Sequence, residues 1–362
     1  MTERLALDAA ELAWTCPDDA FAGDGAGGDG RPLGQDRALD ALGFALALGQ
    51  PGYNVYAMGP EALGKREVVL EHLRAEAKAH ERPHDVCYAN NFKEGRKPRL
   101  LFLAPGTGRQ LRGDLVGLVR ELKPSLSAAF ENEEFRTQKE SHEQYLKDRQ
   151  EEAVNAVEEA AREKGITLNR TPMGFAFMPL QDDGEVMPPD EFNKLPEEKR
   201  REIRETISEL ERQLQEAMRQ FPKWLGEVRE QVRALTRTTA DYALGHLFDP
   251  LFERYASEEA VRELLGHIRT DILDHVDTIL EIPDEGFDIE PEDPERGHGL
   301  VRRYLVNLLV DAADGDGAPV VVEDDPTHDR LFGRIEHRAQ MGALSTDLHL
   351  IREGALHRAN GG

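Results

Sequence analysis

The chain has 362 residues, of which 39% are hydrophobic, so it is long enough to bury a sizeable core and to form more than one structural unit. Its 70 acidic and 45 basic residues give a formal net charge of −25, which argues against nucleic-acid binding because phosphate contacts require basic surface. The sequence has no bilayer-spanning apolar run, no signal-peptide pattern and only two distant cysteines, so we expect a cytoplasmic protein that contacts no membrane.

The first predicted helix follows an irregular lead-in, residues 1–31, which includes a glycine-rich tract with the composition of a flexible linker. Apolar residues recur through positions 38–45, and the helix is expected to end near the turn residues 49–52. Alone, its G-Q-x-R start predicts an ordinary capped helix. Next to the loop that follows, the same start resembles the adenine-contacting segment of AAA+ ATPases, with Gly34, Gln35 and Arg37 as its candidate residues.

A phosphate-binding loop is predicted within residues 53–69. The apolar run 55–58 reads as a short buried strand, a G-x-x-x-x-G-K loop comes next, and a helical pattern follows. Backbone N–H groups of such a loop and the positive end of the next helix hold phosphate oxygens, and the lysine adds a point charge. The candidate residues are Gly59, Pro60, Glu61, Ala62, Leu63, Gly64, Lys65 and Arg66.

Two residues depart from a fully competent loop. Arg66 stands where Mg²⁺ requires a Ser or Thr hydroxyl, and Glu61 places a negative charge inside the loop. The alternative is a strand-to-helix turn that is merely rich in glycine. We interpret the segment as a phosphate loop by ancestry. The cofactor it would hold is ATP with Mg²⁺, in a site that is partly degenerate, and present-day hydrolysis stays open.

Two further strands are predicted at residues 85–91 and 99–103, as parts of an α/β sheet. The glycine-containing segment 104–110 lacks a lysine and the full loop spacing, so we predict that it is a turn between strand and helix.

A long helical arm is predicted from about residue 125. Residues 130–164 contain no helix breaker, and a seam with coiled-coil spacing follows, with Pro222 expected to break its helix. The seam residues are Ile203, Ile207, Leu210, Leu214, Ala217, Phe221 and Trp224. Between the helices, residues 166–189 alternate as strands do. Met173, Phe175, Phe177 and Met178 there offer either a surface for unfolded chains or, as we favour, a small hairpin packed on its own helices.

A helical block is predicted for residues 241–280, with a core made of Tyr242, Leu247, Phe248, Leu251, Phe252 and Tyr255. Its histidines are scattered and form no ligand cluster. The acidic, proline-containing segment 281–299 predicts a loop, and residues 301–310 and 319–322 predict two more strands.

The closing stretch, residues 323–362, ends in G-A-L-H-R-A-N-G-G, which resembles the segment that precedes the Walker B strand in Lon-type AAA+ proteins. With the G-Q-x-R helix, the loop at 59–66 and the helical insert, the chain resembles the Lon-related peptidases of the B and C type. By position, Leu331, Phe332 and Gly333 resemble the aromatic–glycine pore loop that grips substrate in such rings. The alternative is that Phe332 is a core residue at a strand end.

The resemblance implies an α/β fold: a parallel P-loop sheet of AAA+ type with an inserted antiparallel helical arm, a coiled coil, and a helical block. The implied domains are an AAA+-like domain in two parts, residues 32–124 and 300–362, the arm, 125–240, and the block with its acidic loop, 241–299. The second part is expected to stop before the Walker B strand.

The implied function is that of an N-terminal, ATPase-like module of a serine endopeptidase that engages unfolded protein substrates. The full-length protein would be a homo-oligomeric ring, a hexamer, with a Ser-Lys peptidase domain that this chain lacks. No catalytic residue and no metal ligand is expected in the chain itself. The alternative is a chaperone-like scaffold that binds unfolded chains through its arm without any chemistry.

Overall fold

The computed structural model describes residues 35–48, 50, 52–60, 64–95, 97–171, 174–181, 184–290, 296–340 and 343–360. The chain divides into two compact units, and each is considered by itself. Unit 1 comprises Met1–Arg82, Asp316–Val322 and Gly361–Gly362, and unit 2 comprises Pro83–Gly315 and Glu323–Asn360.

The described residues of unit 1 form two helices, α1 (Asp36–Leu48) and α2 (Lys65–Ala77). The predicted strand at 55–58 is wrong: these residues have no regular structure, and Tyr56 and Met58 are largely exposed. A strand forms only where a neighbour takes up its N–H and C=O groups, and none of the described residues of this unit is in a strand.

Residues 316–322 pass closely over the end of α2. The Ala318 N–H donates to the Ala77 carbonyl at 2.9 Å, and a Cβ added to Gly317 would stand 2.1 Å from that oxygen. The strand predicted at 319–322 is wrong as well, since this segment contacts a helix end rather than a strand.

Unit 2 contains a three-stranded sheet in the order β2-β1-β5. Its strands are β1 (Asp85–Ala89), β2 (Arg99–Leu103) and β5 (Val306–Val310), and β1 is antiparallel to both neighbours. The predicted parallel sheet is therefore not found, and every strand pair in the described residues is antiparallel. The cause is the connection between β1 and β2, residues 90–98, which is shorter than the roughly dozen residues that a parallel crossover needs.

Helices dominate the rest of unit 2, together with short two-stranded pairs. The helices are α3 (Thr107–Glu131), α4 (Glu133–Glu163), α5 (Pro189–Phe192), α6 (Glu197–Met218), α7 (Phe221–Arg254), α8 (Glu259–Asp274), α9 (Val276–Glu281), α10 (Gly299–Arg302), α11 (His328–Phe332) and α12 (Ala355–Arg358). The remaining strands are β3 (Ile166–Thr171), β4 (Gly174–Pro179), β6 (Arg334–Ile335), β7 (Arg338–Gln340), β8 (Ala343–Ser345) and β9 (Ile351–Arg352). The mixed α/β class is confirmed.

The main core lies between one face of the sheet and helix α3. The turn predicted at 104–110 is confirmed, with Gly106 at a φ of 86° directly before the helix. Gly108 lets the helix approach the sheet, because an added Cβ would stand 2.7 Å from Leu308 and 3.0 Å from Cys87 Sγ. Helices α7, α8 and α9 close the same core.

The segment predicted as a helical arm contains α4, the β3–β4 hairpin, α6 and the first part of α7. Val157 clusters with Leu214, and Ala161 with Leu210, so contacts run in opposite directions along α4 and α6. The break expected near Pro222 is confirmed, since α6 ends at Met218 and Pro222 lies in the first turn of α7.

The hairpin packs against its own helices, as favoured from the sequence. Phe177 contacts both small clusters between α4 and α6, and Phe175 contacts one of them. Met173 lies outside the described residues. Tyr242 was predicted to be a core residue of α7 but is 76% exposed, because the buried stripe runs through Ala243, Leu244 and Phe248.

Two similar clusters of one aspartate, one arginine and one tyrosine fix helix ends in this core. In each, consecutive Arg and Tyr residues hold one aspartate: the Tyr255 hydroxyl donates to Asp114 at 2.7 Å, beside Arg254. The Tyr304 hydroxyl donates to Asp271 at 2.8 Å, beside Arg303. Burial, followed by the neighbouring carboxylates, raises the pKa of both tyrosines above their ordinary value.

The C-terminal part of unit 2 is held by a close backbone crossing. Gly333 has a φ of 79°, and a Cβ added to it would stand 2.3 Å from the carbonyl oxygen of Arg352. A Cβ added to Gly354 would stand 2.3 Å from the nitrogen of Gly333. The two glycines therefore join α11 and β6 to β9 and α12.

Candidate functional site

The predicted phosphate loop forms a turn into α2. Gly64 is left-handed, with φ 59° and ψ 28°, and the helix begins at Lys65. The Lys65 ammonium donates to the carbonyl of Gly59 at 2.7 Å, so the two ends of the loop lie together. The first N–H groups of the helix follow a residue without a side-chain cap, which is the arrangement that suits an anion.

Glu61, Ala62 and Leu63 of this loop lie outside the described residues. Gly34 of the other candidate segment lies outside them as well. Of the remaining candidates, Pro60 and Arg66 are exposed. The loop thus presents a lysine, a second cation and a helix start to solvent. The candidate role of each residue in nucleotide binding stays a prediction.

The other candidate nucleotide segment caps helix α1. The carbonyl of Gln35 accepts the N–H groups of Ala38 and Leu39, both at 3.0 Å, and Arg37 is exposed in the first turn. Helices α1 and α2 lie side by side, since a Cβ added to Gly43 would stand 3.7 Å from His72 Nε2. The structure therefore shows the capped helix, while its adenine-binding role stays a prediction.

The candidate pore-loop residues lie at the end of α11. Phe332 is 55% exposed, which excludes the alternative that it is a core residue, and its ring lies 5.0 Å from that of His328. Leu331 is half-buried. Gly333 is packed between backbone atoms at the crossing with Gly354, so it does not serve as a flexible hinge. The ring is therefore presented by a fixed turn.

Asp85, which the sequence analysis did not single out, is a buried carboxylate at the start of β1. Its oxygens accept the N–H of Gly108 at 2.7 Å and of Ala312 at 2.8 Å. It therefore ties the first turn of α3 to the end of β5. Burial, and next the charge of Asp85, raise the pKa of the nearby Cys87 thiol to about 12, so this cysteine is an inert core residue.

A second polar site that the sequence analysis did not identify is a cavity of about 490 Å³ in unit 2. Arg302 and Arg303 line it, and Arg302 pairs with Asp347 at 3.1 Å. The buried His349 donates its Nε2–H to the carbonyl of Arg302 at 3.1 Å. Burial lowers the pKa of His349, and the charges of Arg302 and Arg352 add to that effect. The lining of the cavity comes from three separate segments, so no local sequence pattern marks this site.

Neither a metal-binding group of side chains nor a membrane-spanning helix is found among the described residues. No group of three or more His, Cys, Asp or Glu side chains there is placed to hold a metal ion. Within the same residues, no helix combines the length and apolar character that crossing a membrane requires.

Comparison with known families gives two matches on separate segments. Residues 316–362 match the family model described as a LonB-like AAA domain. Residues 85–116 match the model described as a Lon-like LonC helical domain. No curated protein matches the chain. The first match covers the crossing of Gly333 with Gly354, and the second covers β1, β2 and the start of α3.

Proposed function

Two family matches support membership of this chain in the Lon-related protease family, and from that premise we propose that it is an ATPase-like, substrate-engaging module of a Lon-type serine endopeptidase. Its substrates are unfolded proteins, which it passes to a Ser-Lys peptidase domain. The working assembly is a homo-oligomeric ring, a hexamer, in the cytoplasm. The domain division given by the resemblance, with an arm at 125–240 between two AAA+-like parts, belongs to the same proposal.

The observation that carries the proposal is the geometry around Lys65. A left-handed glycine, a lysine and a helix start follow each other directly, and the lysine lies across the loop on the Gly59 carbonyl. A phosphate that enters the loop has to displace one exposed hydrogen bond, and it gains a cation and the first N–H groups of α2 in return. A glycine-rich turn without this function has no need of a lysine that contacts the carbonyl of its first glycine.

The loop is proposed to bind ATP with a reduced contribution from Mg²⁺. Arg66 occupies the position of the metal-binding hydroxyl, and a guanidinium pairs with phosphate but does not ligate a cation. Binding of nucleotide is therefore expected to depend less on Mg²⁺ than in a loop that carries Ser or Thr. This is the sense in which the site is partly degenerate.

Substrate is proposed to be gripped by Phe332. Its ring is exposed on a fixed turn, and an aromatic surface contacts extended polypeptide without reading its sequence. The scaffold alternative depends on an open apolar surface at the tip of the arm. The packing of Phe175 and Phe177 against α4 and α6 weighs against that alternative.

The test is calorimetric titration of ATP into the wild-type chain and into the Lys65→Ala and Lys78→Ala variants. Lys78 is the matched control, because it lies at the other end of the same helix. We expect saturable heat with the wild type and Lys78→Ala. Binding should weaken about tenfold or more in Lys65→Ala, which loses a charge-assisted contact to phosphate.

Equal, unsaturable heats from all three proteins would contradict the nucleotide part of the proposal. A gain-of-function variant sharpens the result. Arg66→Thr restores the metal-binding hydroxyl, so its affinity for ATP should rise when Mg²⁺ is added, by more than the affinity of the wild type does.

A further inference from the structure

The cavity of about 490 Å³ in unit 2 lies where the two family-matched segments meet. Asn90 and Pro98, which flank the β1–β2 connection, form one wall, and Ile335 with the 348–351 segment forms another. Gly95 and Gly299 also line it, and a Cβ added to either would meet no atom within 4 Å. Its volume is within the range of about 300–1,000 Å³ that is typical of small-molecule sites.

The floor of the cavity carries two adjacent arginines, which are held in place by carboxylates. Arg302 pairs with Asp347, and Arg303 pairs with Asp271. Their side chains are only 23% and 28% exposed. Each guanidinium has five N–H donors, so one carboxylate orients it and leaves donors for a further acceptor.

Both arginines have a buried donor that lacks an acceptor. Within the described residues, the Nε atoms of Arg302 and Arg303 have no hydrogen-bond partner, and both are shielded from solvent. A buried donor without a partner is costly, and in a native protein it points to a bound water or ion that supplies the acceptor. Two such donors on consecutive residues that line one cavity indicate an oxyanion as the missing acceptor.

The remaining walls indicate what else the ligand carries. Ile335, Leu348 and Ile351 give the cavity an apolar side. An inorganic anion gains nothing from contact with an apolar surface, so this side indicates an organic ligand. His349 does not add positive charge at neutral pH, because burial keeps its imidazole neutral. Asn90 and Thr346 are the uncharged polar residues of the lining.

We propose that this cavity binds a small organic acid, with its carboxylate or phosphate on Arg302 and Arg303 and its apolar body against Ile335, Leu348 and Ile351. This site goes beyond the proposed function, because it lies in unit 2 and uses none of the residues of the nucleotide loop.

The test is calorimetric titration of the full chain with phenyl phosphate, benzoate and inorganic phosphate at constant ionic strength. We expect saturable binding of the two aromatic acids and weaker binding of inorganic phosphate. Arg302→Gln should weaken binding of both aromatic acids about tenfold through loss of a charge-assisted pair. Arg237→Gln is the control, since Arg237 is also paired with an aspartate but lies outside the cavity.

A second variant covers the case in which Arg302→Gln unfolds through loss of its contact with Asp347. Ile335 is 56% exposed, so Ile335→Trp should fill the cavity mouth without disturbing the core, and it should also weaken binding. Lys65→Ala should leave binding unchanged, which separates this site from the nucleotide loop. Absence of saturable binding of both aromatic acids, or equal affinities in Ile335→Trp and the wild type, would overturn the proposal. Equal affinity for phenyl phosphate and inorganic phosphate would overturn its apolar part.

Discussion

The region of the predicted phosphate loop in unit 1 and the sheet core of unit 2 differ in how much apolar surface they bury. Among the described residues of unit 1, Leu42 is buried and helix α2 has no buried residue. In unit 2, Cys87, Leu101 and Leu111 are almost inaccessible, and long helices cover the same core. The loop motif therefore depends on local backbone geometry, whereas the fold of unit 2 depends on buried area.

This difference in packing implies that the residues that determine ligand binding and those that determine stability lie in different units. A glycine loop and a helix start can hold phosphate with little surrounding core, because the groups that bind are backbone N–H groups. Buried apolar surface contributes most of the free energy of folding. Substitutions in unit 2 should therefore change stability, and those in the loop should change binding.

The largest effect is expected from a matched pair of phenylalanines. Phe248 in α7 is fully buried, whereas Phe44 in α1 is 68% exposed. Phe248→Ala should lower the free energy of unfolding by about 3–5 kcal/mol, because it leaves a cavity, and Phe44→Ala should change it by about 0.5 kcal/mol or less. Urea denaturation followed by circular dichroism measures both. Equal losses would show that the two units do not differ as described.

The next effect concerns the buried carboxylate. Asp85→Ala leaves the N–H groups of Gly108 and Ala312 without an acceptor, at a cost of about 1–3 kcal/mol for each unsatisfied group. Asp85→Asn retains one acceptor oxygen and should lose less. Asp314→Ala, at an exposed carboxylate paired with Arg109, is the control and should have a much smaller effect on the same denaturation curve. An Asp85→Ala protein as stable as this control would contradict the inference that Asp85 stabilises the fold by joining α3 to the end of β5.

A smaller loss is expected at the backbone crossing. Gly333→Ala places a Cβ at a positive φ against the carbonyl of Arg352, so thermal unfolding should show a loss of about 1–2 kcal/mol or more. Phe332→Ala should leave the melting temperature unchanged and weaken retention of an unfolded reporter protein. If Phe332→Ala lowered the melting temperature and Gly333→Ala weakened only the retention of the reporter, the roles assigned to the Phe332 ring and to the turn at Gly333 would be wrong.

The last effect appears only at alkaline pH. The pKa of the Cys87 thiol rises from 9.0 to about 12 on folding, so the folded protein keeps a proton that the unfolded chain loses first. This contribution to stability is complete below pH 9.0 and is lost as the pH rises towards about 12. Urea midpoints at rising pH should therefore fall, and Cys87→Ala should reduce the slope. The same slope in both proteins would place the effect elsewhere, for example on Tyr255 and Tyr304, whose pKa values are also raised.

Local patterns predicted much of the secondary structure. The strands at 85–89 and 99–103, the arm helices and the break near Pro222 follow from periodicity and from the missing N–H of proline. The turn at Gly106 follows from glycine between a strand and a helix. These features are set by residues close in sequence, so a single sequence suffices to predict them.

Features that depend on distant partners were missed. The runs at 55–58 and 319–322 have strand composition but no strand to pair with, and the sheet is antiparallel because its first connection is too short for a crossover. Asp85 meets Gly108 and Ala312 only in the folded chain. The cavity at Arg302 is likewise assembled from three separate segments, so neither site has a local signature.

The crossing of Gly333 with Gly354 has a consequence for the history of the chain. Each glycine occupies the space that a side chain on the other strand would need, so neither can acquire one while the other stays in place. Related sequences should therefore retain both glycines or lose both. An insertion between positions 333 and 354 should lie away from the two glycines, so that their backbones can still cross.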